Sequence, residues 1–481
     1  MKNKKYIYLT LIIIIGITLI LFYSEKKQIY DGDELYSYTL SNSKKHGFMI
    51  NNIELNKWTN HEDIEKIFEL NNDEIFSILS IYKNQARDVH PPFYYLIFHI
   101  MSIISLNKFT ILPGIIINIM SYIVLMIYLY KISKEILEEK ESYIPCMIYT
   151  LSLGMISTAM FIRMYMMLTM WCVIFTYYFL NITQNMNKKD IMKLSICTYF
   201  GFMTHYFFLI YAFFISLIYI IYLITKKNLK NIITYAKYIL SSISLGFITF
   251  PFAYIHIFKG YRGTETQENL IKSNILENFK NIYDRLNIDI FLKIMPIILI
   301  TLIIMIFILI KSKKIKNKIF IIALSTILYF LVTLKIIPIQ STRYFYSIYP
   351  IITLITYYII SKSINNLYIK KIITFIIIVL SVIMQIKYEP SWITKTNKID
   401  AKDKNIIYVI KNDYVTITDS QFLMKYNKIY YTDETFNNYE IIDKSDKEII
   451  VKTDNIKLIE NILKNTKYHK YEECEFGYKL K

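Results

Sequence analysis

A polytopic α-helical membrane protein is the fold class this sequence predicts, and three observations carry it. Hydrophobic residues make up 54% and aromatic residues 16% of the 481 positions, with a mean hydropathy of +0.33, above the balance of ordinary soluble domains. The apolar residues come in runs of membrane length, separated by short lysine-bearing loops. The formal net charge of +18 is spread over those loops rather than gathered on one basic face, a pattern of membrane topology and not of nucleic-acid binding. Of the four cysteines, Cys146, Cys172 and Cys197 lie in apolar runs and Cys474 stands alone near the C-terminus, so neither a disulfide framework nor a metal spacing is visible.

The first run, Tyr6 to Tyr23, follows Lys2, Lys4 and Lys5 and ends Leu-Phe-Tyr-Ser without a small-residue cleavage site, so it reads as an uncleaved transmembrane helix with its N-terminus inside. A first outer loop, residues 24–108, comes next. Helix starts are expected in it at Glu62 and Asp63 after Asn60, and at Asp73 and Glu74 after Asn72. The second of these would carry Ile75, Phe76, Leu79 and Tyr82 on one face along the membrane surface. The pair Pro91-Pro92 forbids a continuing helix before it and suits the first turn of one after it.

The segment from Phe93 to Leu106 decides the sidedness of everything later. Fourteen helical residues reach only about 21 Å against a hydrocarbon core of roughly 30 Å. If the segment lies in the outer interface, the loops at 131–140, 188–193, 226–230, 311–318 and 362–371, with seventeen lysines, all fall inside. The positive-inside rule is then obeyed, and crossing would invert it. The predicted spans are 6–23, 109–131, 143–161, 165–182, 191–205, 206–225, 234–257, 290–310, 319–337, 344–361 and 370–387, eleven in all, with a second outer loop at 258–290. Residues 1–387 thus form a transmembrane domain, and residues 388–481 a small outer α/β module with strands at 405–410, 428–432 and 448–452 and a helix at 455–464.

That topology, derived without regard to chemistry, gathers polar groups on one face: Asp31, Asp33 and Glu34; Asp88 and His90; Arg163 and Tyr165; His205 and Tyr206; Arg343 and Tyr344. Charge at the edge of hydrocarbon is costly and marks function. Arg163 interrupts an apolar stretch, and the planar fork of an arginine suits phosphate or carboxylate. The same arginines can equally pair with acids to hold the bundle together. The interfacial tyrosines can be ordinary aromatic-belt residues.

Asp33-Glu34 after the first helix, then His90-Pro91-Pro92-Phe93-Tyr94-Tyr95-Leu96, Arg163-Met164-Tyr165, Thr204-His205-Tyr206 and Arg343-Tyr344, in that order, resemble the GT-C superfamily of lipid-linked glycosyltransferases. The resemblance covers residues 1–350 and is to the bacterial branch of the protein mannosyltransferases (glycosyltransferase family 39), related to the lipid A aminoarabinose transferases. It implies a polyprenyl-phosphate sugar donor, a glycan, lipid or protein acceptor, contact with membrane lipid, no nucleotide cofactor and a multi-pass place in the cell membrane. It also implies catalytic carboxylates at Asp33, Glu34 and Asp88. Arg163, His205 and Arg343 are then expected to hold the donor phosphate, supported by His90, Tyr165, Tyr206 and Tyr344. Asp31-Gly32-Asp33 departs from the family and mimics an acidic metal motif, which leaves open a divalent cation, Mg or Mn, at Asp31 and Asp33. Readings from other classes are a transporter or flippase of lipid-linked glycans, which would show inverted repeats and helices broken at mid-membrane, and a surface-polysaccharide polymerase or ligase.

Overall fold

The computed structural model describes residues 2–44, 47–312, 317–393 and 401–481. Lys313, Lys314 and Lys316 of the expected inner loop, and residues 394–400 at the start of the C-terminal module, lie outside the described residues. The chain divides into two units: Met1–Lys26, Gln85–Tyr94 and Gly114–Ile393 form the first, and Lys27–Asn84, Tyr95–Pro113 and Thr394–Lys481 form the second.

The first unit is helical. Among the described residues of the chain, eight helical segments are long and apolar enough to cross a membrane: Tyr6–Ser24, Leu112–Ile136, Tyr165–Gln184, Phe207–Thr225, Leu229–Thr249, Asn317–Ile336, Thr342–Ser363 and Leu367–Lys387. The other three predicted spans are also helical but fall short, each for a local reason. The 143–161 run breaks into Ile144–Thr150 and Leu153–Met160, because Ser152 caps the second helix by accepting from the Met155 amide at 3.1 Å. Lys188–Thr204 and Met295–Lys311 have 17 residues each, about 25 Å of helix at 1.5 Å per residue. Pro251, which lacks an amide proton, ends another run at Thr249, and the chain restarts as Phe252–Phe258. The 258–290 segment, expected as the second outer loop, contains two helices, Tyr261–Lys272 and Ile275–Asp289, the second started by the Asn274 side chain accepting from Leu276 and Glu277.

The second unit is built on a six-stranded sheet of β1 (Trp58–Asn60), β2 (Ala401–Val409), β3 (Tyr426–Thr432), β4 (Glu448–Lys452), β5 (Tyr471–Cys474) and β6 (Gly477–Leu480), in the order β1-β3-β2-β4-β6-β5. β2 runs parallel to β3 and β4, and the outer pairings are antiparallel. Alternation along β2 and β4 places Ile407, Val409, Ile449 and Val451 on one face, where they bury Leu458, Ile459 and Ile462 of the helix Ile456–Asn465. Gly477 closes the β5–β6 hairpin at φ +139°, where a Cβ would lie 2.5 Å from the Val451 carbonyl oxygen, so no other residue fits there without displacement.

One strand of this sheet comes from the first outer loop. β1 pairs with β3 through Trp58 opposite Tyr430, Thr59 opposite Ile429 and Asn60 opposite Lys428. The helix expected to start at Asp73 begins only at Ile78. Glu74 accepts from the Lys44 amide at 2.9 Å and from Asn71 Nδ2 at 2.8 Å, which holds residues 71–77 in turns, and Phe76 is left 92% exposed.

Candidate active site

In the second unit the acidic stretch starts the helix Gly32–Asn42. Asp31 is its N-cap and accepts from the Asp33 amide at 2.9 Å, while Glu34 Oε2 accepts from the Asp31 amide at 2.7 Å. Together they form a reciprocal capping box. Glu34 also pairs with Lys27 Nζ at 2.9 Å, and both side chains are buried. Asp31 and Glu34 therefore hold the backbone of the stretch, and Asp33 sits half-buried between them. Among the described residues no three His, Cys, Asp or Glu side chains converge, and the Asp31 carboxylate accepts from the Asp33 amide as a cap.

The first unit brings the other predicted residues together. The helix Ile78–Arg87 stops before Asp88, and the next begins at Phe93 after the two prolines. In the short segment between them His90 Nδ1 donates to Asp88 Oδ2 at 2.8 Å, with side-chain exposures of 19% and 14%. Arg163 occupies the turn between Leu153–Met160 and Tyr165–Gln184, is 3% exposed, and places Nη2 3.5 Å from the same His90 nitrogen. Because that nitrogen's proton already points to Asp88, the guanidinium acts on the pair through its charge rather than by a hydrogen bond. Burial by itself raises the Asp88 pKa. The donating His90 ring and the nearby Arg163 outweigh it and hold the carboxyl below its usual range.

His205 joins this group from the turn between Lys188–Thr204 and Phe207–Thr225. Its ring lies 5.5 Å from His90 and 5.5 Å from Tyr165. Its Nδ1 accepts from the Phe207 amide, the first of the second helix, at 3.0 Å. Burial, with His90, Arg163 and Arg343 adding to it, pushes the imidazole pKa well down. His205 is thus a neutral ring with its proton on Nε2, a hydrogen-bond donor rather than a cation.

Arg343 lies in the 3₁₀ turn Thr342–Ile348, which Ser341 opens by accepting from the Arg343 amide. Its guanidinium stands 5.6 Å over Phe161 and 5.2 Å over Tyr344, and donates to the Tyr344 hydroxyl at 3.3 Å. Tyr344 in turn packs 5.1 Å from Phe207 and 6.2 Å from Tyr165. Tyr206 points another way: its hydroxyl is 2.8 Å from Nδ1 of His256.

Residues 89–255 match the family model for dolichyl-phosphate-mannose-protein mannosyltransferase. The match supports a membrane glycosyltransferase of the GT-C type. It spans about a third of the chain and takes in His90, Arg163, Tyr165, His205 and Tyr206. No curated protein matches the chain.

Two further buried groups carry no motif. His256 is buried beside Tyr206, and burial lowers its pKa; the one trace in the sequence is a lone histidine in the aromatic run after Pro251. Asp289, fully buried, pairs with Arg285 at 2.8 Å and accepts from Ser157 Oγ at 3.3 Å and Tyr349 at 3.2 Å. The spacing of four between Arg285 and Asp289 is the signal that a helix runs through the supposed loop.

The arrangement in the first unit has two chemical capacities. Asp88 is an ionised carboxylate oriented by a histidine. Arg163 and Arg343 are buried cations of the geometry that binds phosphate oxygens.

Proposed function

We propose that the protein transfers a sugar from a polyprenyl-phosphate donor to an acceptor hydroxyl at the outer face of the membrane, as a member of the bacterial branch of the protein mannosyltransferases and aminoarabinose transferases. The observation that carries this reading is the Asp88–His90–Arg163 group, an oriented acid with a buried arginine in a membrane-embedded unit. The outer placement rests on the lysine distribution, which favours eleven crossings with the N-terminus inside.

The reaction is a single displacement with inversion. The acceptor oxygen bonds to the anomeric carbon as the bond from that carbon to the phosphate oxygen breaks, and the electron pair leaves with polyprenyl phosphate. Asp33, which stands where the resembling family carries a carboxylate after its first helix, takes the acceptor proton as general base. Arg163 and Arg343 stabilise charge on the departing phosphate, and His205 adds a neutral donor from Nε2. Asp88, fixed by His90, orients sugar hydroxyls. A phosphate is already a good leaving group, so positive charge matters more here than an acid.

A translocase of lipid-linked glycans is the competing class. Proteoliposomes loaded with a labelled polyprenyl-phosphate hexose separate the two. Release of polyprenyl phosphate in the presence of acceptor supports transfer, and movement of the intact lipid between leaflets without bond cleavage sinks it.

A further inference from the structure

The acidic stretch is held from the far end of the sequence. Gln421, in the helix Asp413–Leu423, brackets the backbone of Tyr30 with both ends of its side-chain amide. Oε1 accepts from the Tyr30 amide at 2.9 Å, and Nε2 donates to the Tyr30 carbonyl at 2.8 Å and to Thr418 at 2.9 Å. Other ties join the first outer loop to the C-terminal segment within the second unit. Asp413 accepts from the Tyr36 hydroxyl through one carboxylate oxygen and from the Ile50 amide at 2.8 Å through the other. Gly32 packs so closely on this helix that a Cβ there would come within 2.9 Å of the Tyr414 ring. β1 adds the outer loop to the edge of the sheet.

A side-chain amide that satisfies both the N–H and the C=O of one residue fixes the position and the orientation of the two peptide units that flank it. A carboxylate cannot replace it, because it only accepts and the Tyr30 carbonyl needs a donor. Tyr30 immediately precedes Asp31, whose cap and reciprocal bond to Glu34 set the first turn that carries Asp33. A rotation of the Tyr30 peptide therefore passes directly into the Asp33 backbone.

We propose that Gln421 is a positioning residue for the acidic stretch, and that the C-terminal segment serves the transferase by holding Asp31, Asp33 and Glu34 in register. The proposal rests on the assignment of Asp33 as the base. Its structural half is tested without any turnover, by hydrogen exchange on the full-length protein in detergent. In Gln421→Met, similar in length but without hydrogen bonds, the amides of residues 30–34 are expected to exchange at least about fivefold faster than in the parent, with β2 unchanged. Tyr36→Phe removes the hydrogen bond to Asp413 and keeps the ring, and is expected to give a smaller increase over the same amides. It serves if Gln421→Met does not accumulate.

The functional half is read from kinetics. Gln421→Met is expected to lower kcat about 10- to 100-fold with the donor KM nearly unchanged, as a displaced base would. Unchanged exchange at 30–34 in both variants overturns the clamp. Faster exchange with an unchanged kcat overturns its role in positioning. A parent protein that transfers no sugar contradicts the proposed function, and the exchange data still decide the clamp.

Discussion

His90 Nδ1 donates to Asp88 Oδ2 across 2.8 Å, and the guanidinium of Arg163 stands beside the shared nitrogen. Burial opposes ionisation of Asp88, and these two neighbours reverse it. A carboxyl whose pKa is lower folded than unfolded stabilises the fold above its unfolded value, about 3.9. That contribution is lost as pH falls through the folded value. His90→Ala leaves the burial and removes the largest compensating group. The acid limb of kcat/KM is expected to move to higher pH in this variant, measured as a pH profile against the parent.

His205 behaves in the same sense for a different reason. Its folded pKa lies well below the unfolded value of about 6.5, so between the two the unfolded chain binds more protons. Stability is therefore full above about pH 6.5 and falls as pH drops toward the folded value. Asn at this position keeps an acceptor for the Phe207 amide and cannot titrate. His205→Asn is expected to show a shallower fall in melting temperature between pH 7 and pH 5 than the parent. A residual slope from His256, whose pKa is also lowered by burial, remains in both.

Glu34 answers a question about chemistry with one about stability. It is fully buried against Lys27, so truncating either partner strands a buried charge, at a cost of about 3–5 kcal/mol. Glu34→Ala is expected to lower the unfolding temperature as well as the activity. The double variant Lys27→Met/Glu34→Leu recovers most of the stability, and a double-mutant cycle by thermal unfolding reads the coupling. If the double variant recovers stability and not turnover, Glu34 acts in the reaction in addition to holding the fold.

The membrane helices were legible because length and apolarity suffice to read them. The helices Leu112–Ile136, Tyr165–Gln184 and Leu367–Lys387 lie within a few residues of the predicted spans. The strands at 426–432 and 448–452 were legible from their β-branched and aromatic runs. Helices Tyr261–Lys272 and Ile275–Asp289 were not, since their apolar residues are too sparse to stand out from a polar loop. β1 was beyond reach in principle: three residues have no period, and its partner lies more than 360 positions away. For the site, the motifs around Asp88, His90, Arg163 and His205 pointed to residues that do meet. The Asp31-to-Glu34 spacing of three is itself a capping-box signature, and was overshadowed by its likeness to a metal motif. Gln421, a single amide in a module without motifs, gave no sign of its bond to Tyr30.

Turnover of a lipid-linked sugar by the purified protein, with Asp33→Asn alongside the parent, decides whether Asp33 is the base of a glycosyl transfer. The parent is expected to convert a polyprenyl-phosphate hexose to polyprenyl phosphate in the presence of acceptor, and Asp33→Asn to lose about 10²- to 10⁴-fold in rate while keeping its fold. Normal activity in Asp33→Asn, or no release of polyprenyl phosphate by the parent with any lipid-linked hexose or pentose, would contradict it.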